Sequence, residues 1–204
     1  MRQVITEIDI PQAGDLRVST GALITPSARD LARTRGVRIV ELSERELAGF
    51  AAPETTVAIG SDHGGFEMKE RLLKPLLTEL KLAVRDEGVF DGAAADYPDI
   101  AAKVAGRVAS GEAARGIIVD GAGIGSAIAA NKIPGIRAAL CYDKASARNS
   151  REHNDANVLT LGAGLIGTAL AKQIVDVWLK TDFGGGRHAK RVDKIIAVEK
   201  KYRA

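Results

Sequence analysis

From Thr56 onward the chain repeats one pattern: a short apolar run, a turn rich in glycine or acid, then an amphipathic stretch at helical spacing. That alternation admits few folds. Strands alternating with helices pair in parallel, because each helix carries the chain back to begin the next strand, and both sheet faces end up covered. The apolar runs at 57–60, 82–86, 116–120, 137–141 and 157–161 are the five expected strands, in a doubly wound sheet. Helices are expected over 66–80, 100–108, 124–131, 144–152, 168–180 and 187–200. The first of these is marked by Leu72, Leu73, Leu76, Leu77 and Leu80 at helical spacing.

The first fifty residues lack this rhythm. Thr25-Pro26 reads as an N-cap followed by proline at the first helical position, and Gly36 is a suitable residue to end that helix. Residues 37–42 read as extended. Ser43 opens a capping box with Glu46, so a second small helix is expected to reach Phe50. Ala51-Ala52-Pro53-Glu54-Thr55 reads as a linker, which divides the chain into a module at 1–50, a linker at 51–55 and a main domain at 56–204. A unit so small has little core of its own and is better suited to docking than to catalysis.

Composition narrows the function. With 204 residues, 46% of them hydrophobic, the chain can bury a full-sized core. Its charge of +3 is a slim excess of 29 basic over 26 acidic residues, so no nucleic-acid partner is implied. Cys141 is the single cysteine, which excludes an intramolecular disulfide and fits a reducing compartment. No apolar run approaches about 18 residues, and Glu7 and Asp9 break the pattern a signal peptide needs, so a cytoplasmic protein without a membrane partner is expected. The three histidines, His63, His153 and His188, have no tight ligand spacing, so no metal is expected.

The likeliest chemistry lies in Gly116-Ile117-Ile118-Val119-Asp120-Gly121-Ala122-Gly123-Ile124-Gly125-Ser126, a buried strand ending in an acid and a glycine-rich turn. Backbone N–H groups in such a turn can hold an anion or a developing oxyanion. Alone the turn is ambiguous. It departs from the dinucleotide fingerprint by one position, so a nucleotide site and a purely packing turn both remain open. Four further segments are expected to converge on the same sheet edge: Ser61-Asp62-His63-Gly64-Gly65, Asp96-Tyr97-Pro98-Asp99, Arg151 through Asn157, and Gly184 through Arg191. Arg187 and Arg191 are four apart and, in a helix, share a face that can grip a phosphate.

Those segments, together with Ile128-Ala129-Ala130-Asn131-Lys132 and Gly135-Ile136-Arg137-Ala138-Ala139-Leu140-Cys141, resemble ribose-5-phosphate isomerase B and its galactose-6-phosphate isomerase relatives. The likeness runs in unbroken motif order from about Val57 to Tyr202. It implies a flavodoxin- or Rossmann-like three-layer α/β sandwich, a homodimer with composite active sites, no cofactor, and aldose–ketose isomerisation of a phosphorylated sugar through an enediolate. By position, His63, Arg187 and Arg191 would clamp phosphate and His153 would assist ring opening. Asp62, Tyr97 and Asn154 would contact sugar hydroxyls, and Gly121, Gly123 and Gly125 would offer backbone donors. Cys141 matches a position without a catalytic role.

The chain departs from that family where the chemistry is concentrated. Many members carry cysteine as the proton-transfer base where this chain has Asp120, and threonine or serine where it has Ala122. Others place a glutamate base at the position of Ser126. Asp120 is therefore the expected base, and a catalytically impaired sugar-phosphate-binding or structural subunit is the alternative. Separately, Gly21-Ala22-Leu23-Ile24-Thr25-Pro26-Ser27-Ala28-Arg29-Asp30-Leu31-Ala32 resembles a short segment on proteins associated with bacterial microcompartments. This implies docking to a shell or cargo protein through residues 1–50.

Overall fold

A computed structural model describes residues 4–10, 15–42 and 56–202. The capping box at Ser43, the helix expected to end at Phe50 and the linker at 51–55 lie outside the described residues. The chain divides into two compact units, Met1–Pro53 and Glu54–Ala204.

In the first unit, β1 (Val4–Ile5) pairs in parallel with β3 (Leu23–Ile24), and β2 (Asp15–Ser19) with β4 (Arg38–Leu42). Between β3 and β4 runs α1 (Pro26–Arg35), started and stopped as the sequence predicts. The Thr25 hydroxyl accepts the Ala28 N–H at 3.3 Å, and Gly36 ends the helix in the left-handed conformation. A small core of Ile5, Ile10, Val18, Ala28, Ala32 and Val37 holds the unit together. Of the strands before α1, β1 and β3 are two residues each and too short to show a period, whereas Asp15-Leu16-Arg17-Val18-Ser19 of β2 alternates and turns Leu16 and Val18 to the core.

The second unit is an α/β sandwich. Its strands are β5 (Val57–Ser61), β6 (Val84–Asp86), β7 (Arg115–Asp120), β8 (Ala138–Leu140) and β9 (Val158–Gly162), ordered β6-β5-β7-β9-β8 and all parallel. The helices are α2, α3 (Tyr97–Ala109), α4 (Ile124–Ala130), α5 (Lys144–Asn154), α6 (Thr168–Lys180) and α7 (Arg187–Tyr202). Helix α2 is continuous but irregular: Phe66–Met68, a π-helical turn Lys69–Leu73, then Lys74–Glu79.

Successive strand side chains point to opposite faces, and the two cores follow that period. Val57, Ile59, Ile117, Val119, Leu159 and Leu161 pack with Leu73 and Leu77 of α2, Ala147 of α5 and Ile174 and Trp178 of α6. Ala58, Ile118 and Val158 face the other way, onto Ile100 and Val104 of α3 and Ala130 of α4. Each large apolar side chain so buried contributes about 1.5–3 kcal/mol relative to exposure. The chain leaves β5 for β6 on one side and then crosses to β7 on the other. A crevice therefore opens at the carboxyl ends of β5 and β7, where open sheets of this kind bind ligands.

Candidate active site

At that crevice Asp120 closes β7, and its side chain curls back over the glycine turn. Its Oδ1 accepts the Ala122 N–H at 2.8 Å and the Gly123 N–H. Its Oδ2 accepts the Ser126 N–H at 3.2 Å and the buried Ser126 hydroxyl. A carboxylate offers about four acceptor positions, and all of them are engaged inside the turn. The cause is local. Gly123 occupies the N-cap of α4 in the left-handed conformation, at φ 76°, and has no side chain with which to cap it. The unpaired N–H groups of the first turn need an acceptor, and Asp120 supplies it. The carboxylate expected to face substrate as the base is instead turned inward.

This changes which backbone donors are available. The Gly123 N–H, expected to face ligand, is taken by Asp120, whereas those of Gly121 and Gly125 donate to no described residue. The turn is also held from outside. Thr160 Oγ1 donates to the Gly123 carbonyl at 2.9 Å, the Tyr142 hydroxyl to the Ala122 carbonyl at 2.8 Å, and the Gly164 N–H to the Gly121 carbonyl at 2.9 Å. Sequence reasoning missed Tyr142 and Thr160. A threonine in the middle of an apolar strand was a usable signal, since a buried hydroxyl needs a partner. Nothing local marks Tyr142.

Three expected residues share this edge. The ring of Tyr97 lies against Gly125, where any Cβ would collide with it. Asp62 follows β5 and is 8% exposed. Its N–H donates to the Val119 carbonyl of β7 at 3.2 Å, and its Oδ1 accepts the Gly65 N–H at 2.9 Å. Its Oδ2 has no partner among the described residues and is not sealed from solvent. His63 is exposed beside it. A cavity of about 630 Å³ opens next to Gly64, between α2 and the start of α6, large enough for a small phosphorylated ligand.

The remaining expected residues are not here. All the polar segments are expected at one sheet edge, but His153, Asn154, Arg187 and Arg191 lie at the other. Helices α5 and α6 run antiparallel to the strands, so the segments that follow them return to the strand starts. The contacts show it. The Asn157 carbonyl accepts the Gly116 N–H at the start of β7 at 2.9 Å, and the Glu152 carbonyl accepts the Gly184 N–H at 2.9 Å. Six residues of β7, at about 3.3 Å each, separate the two edges by roughly 15–20 Å.

At the amino edge the rings of His153 and His188 stack, with centroids 4.1 Å apart and planes 5° from parallel. Asn149 Nδ2 lies 2.8 Å from His153 Nδ1, and Arg187 Nε donates to His188 Nε2 at 3.4 Å. Burial, and then the neighbouring His153, Arg187 and Arg191, push the His188 pKa below its ordinary value. Arg187 and Arg191 are exposed on one face of α7 and form no ion pair among the described residues. Asn154, at the end of α5, is exposed. A second cavity, of about 510 Å³, lies at this edge between Arg137, Asn154 and the apolar Ile195 and Val198 of α7.

Cys141 is buried, and burial raises its thiol pKa, which leaves it a protonated and unreactive side chain. Among the described residues no group of three His, Cys, Asp or Glu side chains is gathered as a metal site would need, and no helix is long and apolar enough to cross a membrane.

The comparisons with known proteins match the second unit. Residues 57–195 fit the family model described as Ribose/Galactose Isomerase. Over 146 residues the chain is 49% identical to a putative sugar phosphate isomerase of Bacillus subtilis, covering 71% of this chain and 97% of that protein. It is 46% identical over 145 residues to ribose-5-phosphate isomerase B of Escherichia coli, covering 71% and 97%. The solved structure of ribose-5-phosphate isomerase B from Clostridium thermocellum superposes with a TM-score of 0.70 at 52% identity, covering 72% of this chain and 99% of that one. With the sheet order, the glycine turn at the carboxyl edge and these likenesses in hand, the chain belongs to the ribose/galactose isomerase family.

Proposed function

We propose that the chain interconverts an aldose phosphate and its ketose phosphate through an enediolate, at a site assembled from two copies. The observation that carries this reading is the division of the polar groups between the two sheet edges. The carboxyl edge holds Asp62, His63, Tyr97 and the N–H groups of Gly121 and Gly125, which have no acceptor among the described residues, and this suits the reacting carbons and an oxyanion. The amino edge holds His153 and Asn154 with Arg187 and Arg191, which form no ion pair among the described residues, and this suits ring opening and a phosphate. Neither edge alone has the full set.

A two-fold pair lets the amino edge of one chain meet the carboxyl edge of its partner, twice over. Exposed apolar side chains support such a pairing: Ile124, Ile128 and Tyr142 near the turn, and Ile195 and Val198 on α7. Residues 1–50 would dock this cytoplasmic enzyme to a microcompartment protein.

The engaged carboxylate of Asp120 favours a second reading, a subunit that binds phosphosugars without turning them over. Both are tested by incubating the protein with ribose 5-phosphate and a panel of other aldose phosphates in deuterated water. Deuterium entering the sugar at C2, with ketose formed, is the expected result. Tight binding without exchange or turnover would instead support the binding subunit.

A further inference from the structure

We propose that Asp62, not Asp120, is the proton-transfer base, and that Asp120 is the positioning residue that holds the turn. This rests on the isomerase reading above and deepens it. At the carboxyl edge one carboxylate, Asp62, directly follows β5 and another, Asp120, ends the neighbouring strand β7, and such strands are spaced by about 4.8 Å. They differ in what their oxygens do. Those of Asp120 accept four hydrogen bonds from its own turn, so an approaching C–H finds no free lone pair. Asp62 spends one oxygen on the Gly65 N–H at 2.9 Å, which fixes its rotamer, and its Oδ2 has no partner among the described residues and is not sealed from solvent. A carboxylate held by one oxygen and free at the other suits a base that must accept a proton and return it.

Gly64 lies between the two loops: a Cβ there would sit 3.3 Å from Asp62 Oδ1 and 3.5 Å from the Gly121 nitrogen. A sugar lying across Gly64 would thus meet the Asp62 carboxylate, whose Oδ1 is the oxygen nearer Gly64, and the Gly121 donor together. In the open-chain aldose, Asp62 Oδ2 takes the proton from C2. The C2–H pair becomes the C1=C2 bond, and the carbonyl pair moves onto O1, whose charge the Gly121 and Gly125 N–H groups meet. The O2 proton passes to O1, O2 collapses to the ketone, and the C1=C2 pair takes the proton back from Asp62 at C1. Atoms and charge balance without a further reactant.

The test compares Asp62→Asn with Asp120→Asn by C2 exchange in deuterated water and by turnover, with folding checked by circular dichroism. An asparagine at 62 still accepts the Gly65 N–H, so the fold is kept while the base is lost. Exchange and kcat should fall about 10²–10⁴-fold with KM little changed. An asparagine at 120 still accepts the Ala122 and Gly123 N–H groups, and its amide can donate to the Ser126 hydroxyl. Turnover should then fall by about tenfold or less. Formate added to Asp62→Ala should restore part of the lost rate, which a merely structural role would not allow. Loss of exchange in Asp120→Asn with exchange retained in Asp62→Asn overturns the assignment, as does the absence of formate rescue. A wild-type protein that exchanges no aldose phosphate overturns the isomerase reading itself, and this one with it.

Discussion

At the scale of single residues, identical chemical groups do different work according to their hydrogen-bond partners. Asp62 directly follows β5 and Asp120 ends the parallel strand β7, yet among the described residues one keeps an oxygen without a partner and the other has none. His153 and His188 are likewise two imidazoles in contact with different surroundings. His188 is buried and flanked by His153, Arg187 and Arg191, with Glu152 opposing them, so its native pKa lies below its unfolded value, which is near 6.5. Between those two values the unfolded chain binds more protons than the native one, so stability falls as pH drops through the unfolded pKa. The urea midpoint should therefore decrease between about pH 7.5 and 5.5. A His188→Phe variant keeps an aromatic ring against His153 but cannot titrate, and its midpoint should change less. Equal pH slopes in the two proteins would contradict the account. The sequence showed that these residues belonged to motifs. It could not show the stacking, because α5 and α7 are brought together by tertiary packing and by no local spacing.

At the scale of elements, every helix and strand expected from Thr56 onward is present, because each segment carries its own period and its own stop signal. Helix α6 matches its expected span of Thr168–Lys180 to the residue, and α3 begins three residues early because Tyr97 and Pro98 open it behind Asp96. Helix α2 shows what a period cannot report. Its π-helical turn inserts an extra residue into the register and carries Lys69 into the interior, where its side chain is fully buried. There Nζ contacts Asp86 Oδ1 at 2.8 Å, the Val89 carbonyl at 2.7 Å and Glu70 at 3.0 Å. Replacing Lys69 by methionine leaves Asp86 with Lys74 as its remaining ion-pair partner, at 2.9 Å. Breaking one side of a buried pair should cost about 3 kcal/mol in urea unfolding. A loss under about 0.5 kcal/mol, the usual range for surface changes, would show that the pair is dispensable.

For the whole molecule, the sheet sets the distance that matters. Parallel strands with antiparallel helices sort every loop to one edge or the other, and the candidate residues fall into two groups that a single second unit keeps about a strand length apart. The motifs were legible in the sequence, but their assignment to edges was not, since Arg151 through Asn157 precedes its strand while Gly121 through Gly125 follows its own. The resemblance implied shared sites, and the edge geometry gives a physical reason why this chain would need them. The first unit has its own small core, consistent with an appended module rather than a part of the catalytic sheet.

In the proposed enzyme two edges act as one site across a pair of chains. The most direct measurement mixes Asp62→Asn chains with Arg187→Ala chains by unfolding and refolding them together. Each homodimer then lacks a working site, whereas each mixed dimer joins an intact carboxyl edge to an intact amino edge at one of its two sites. Random pairing should restore about a quarter of wild-type turnover. Turnover no higher in the mixture than in either parent would contradict a shared site.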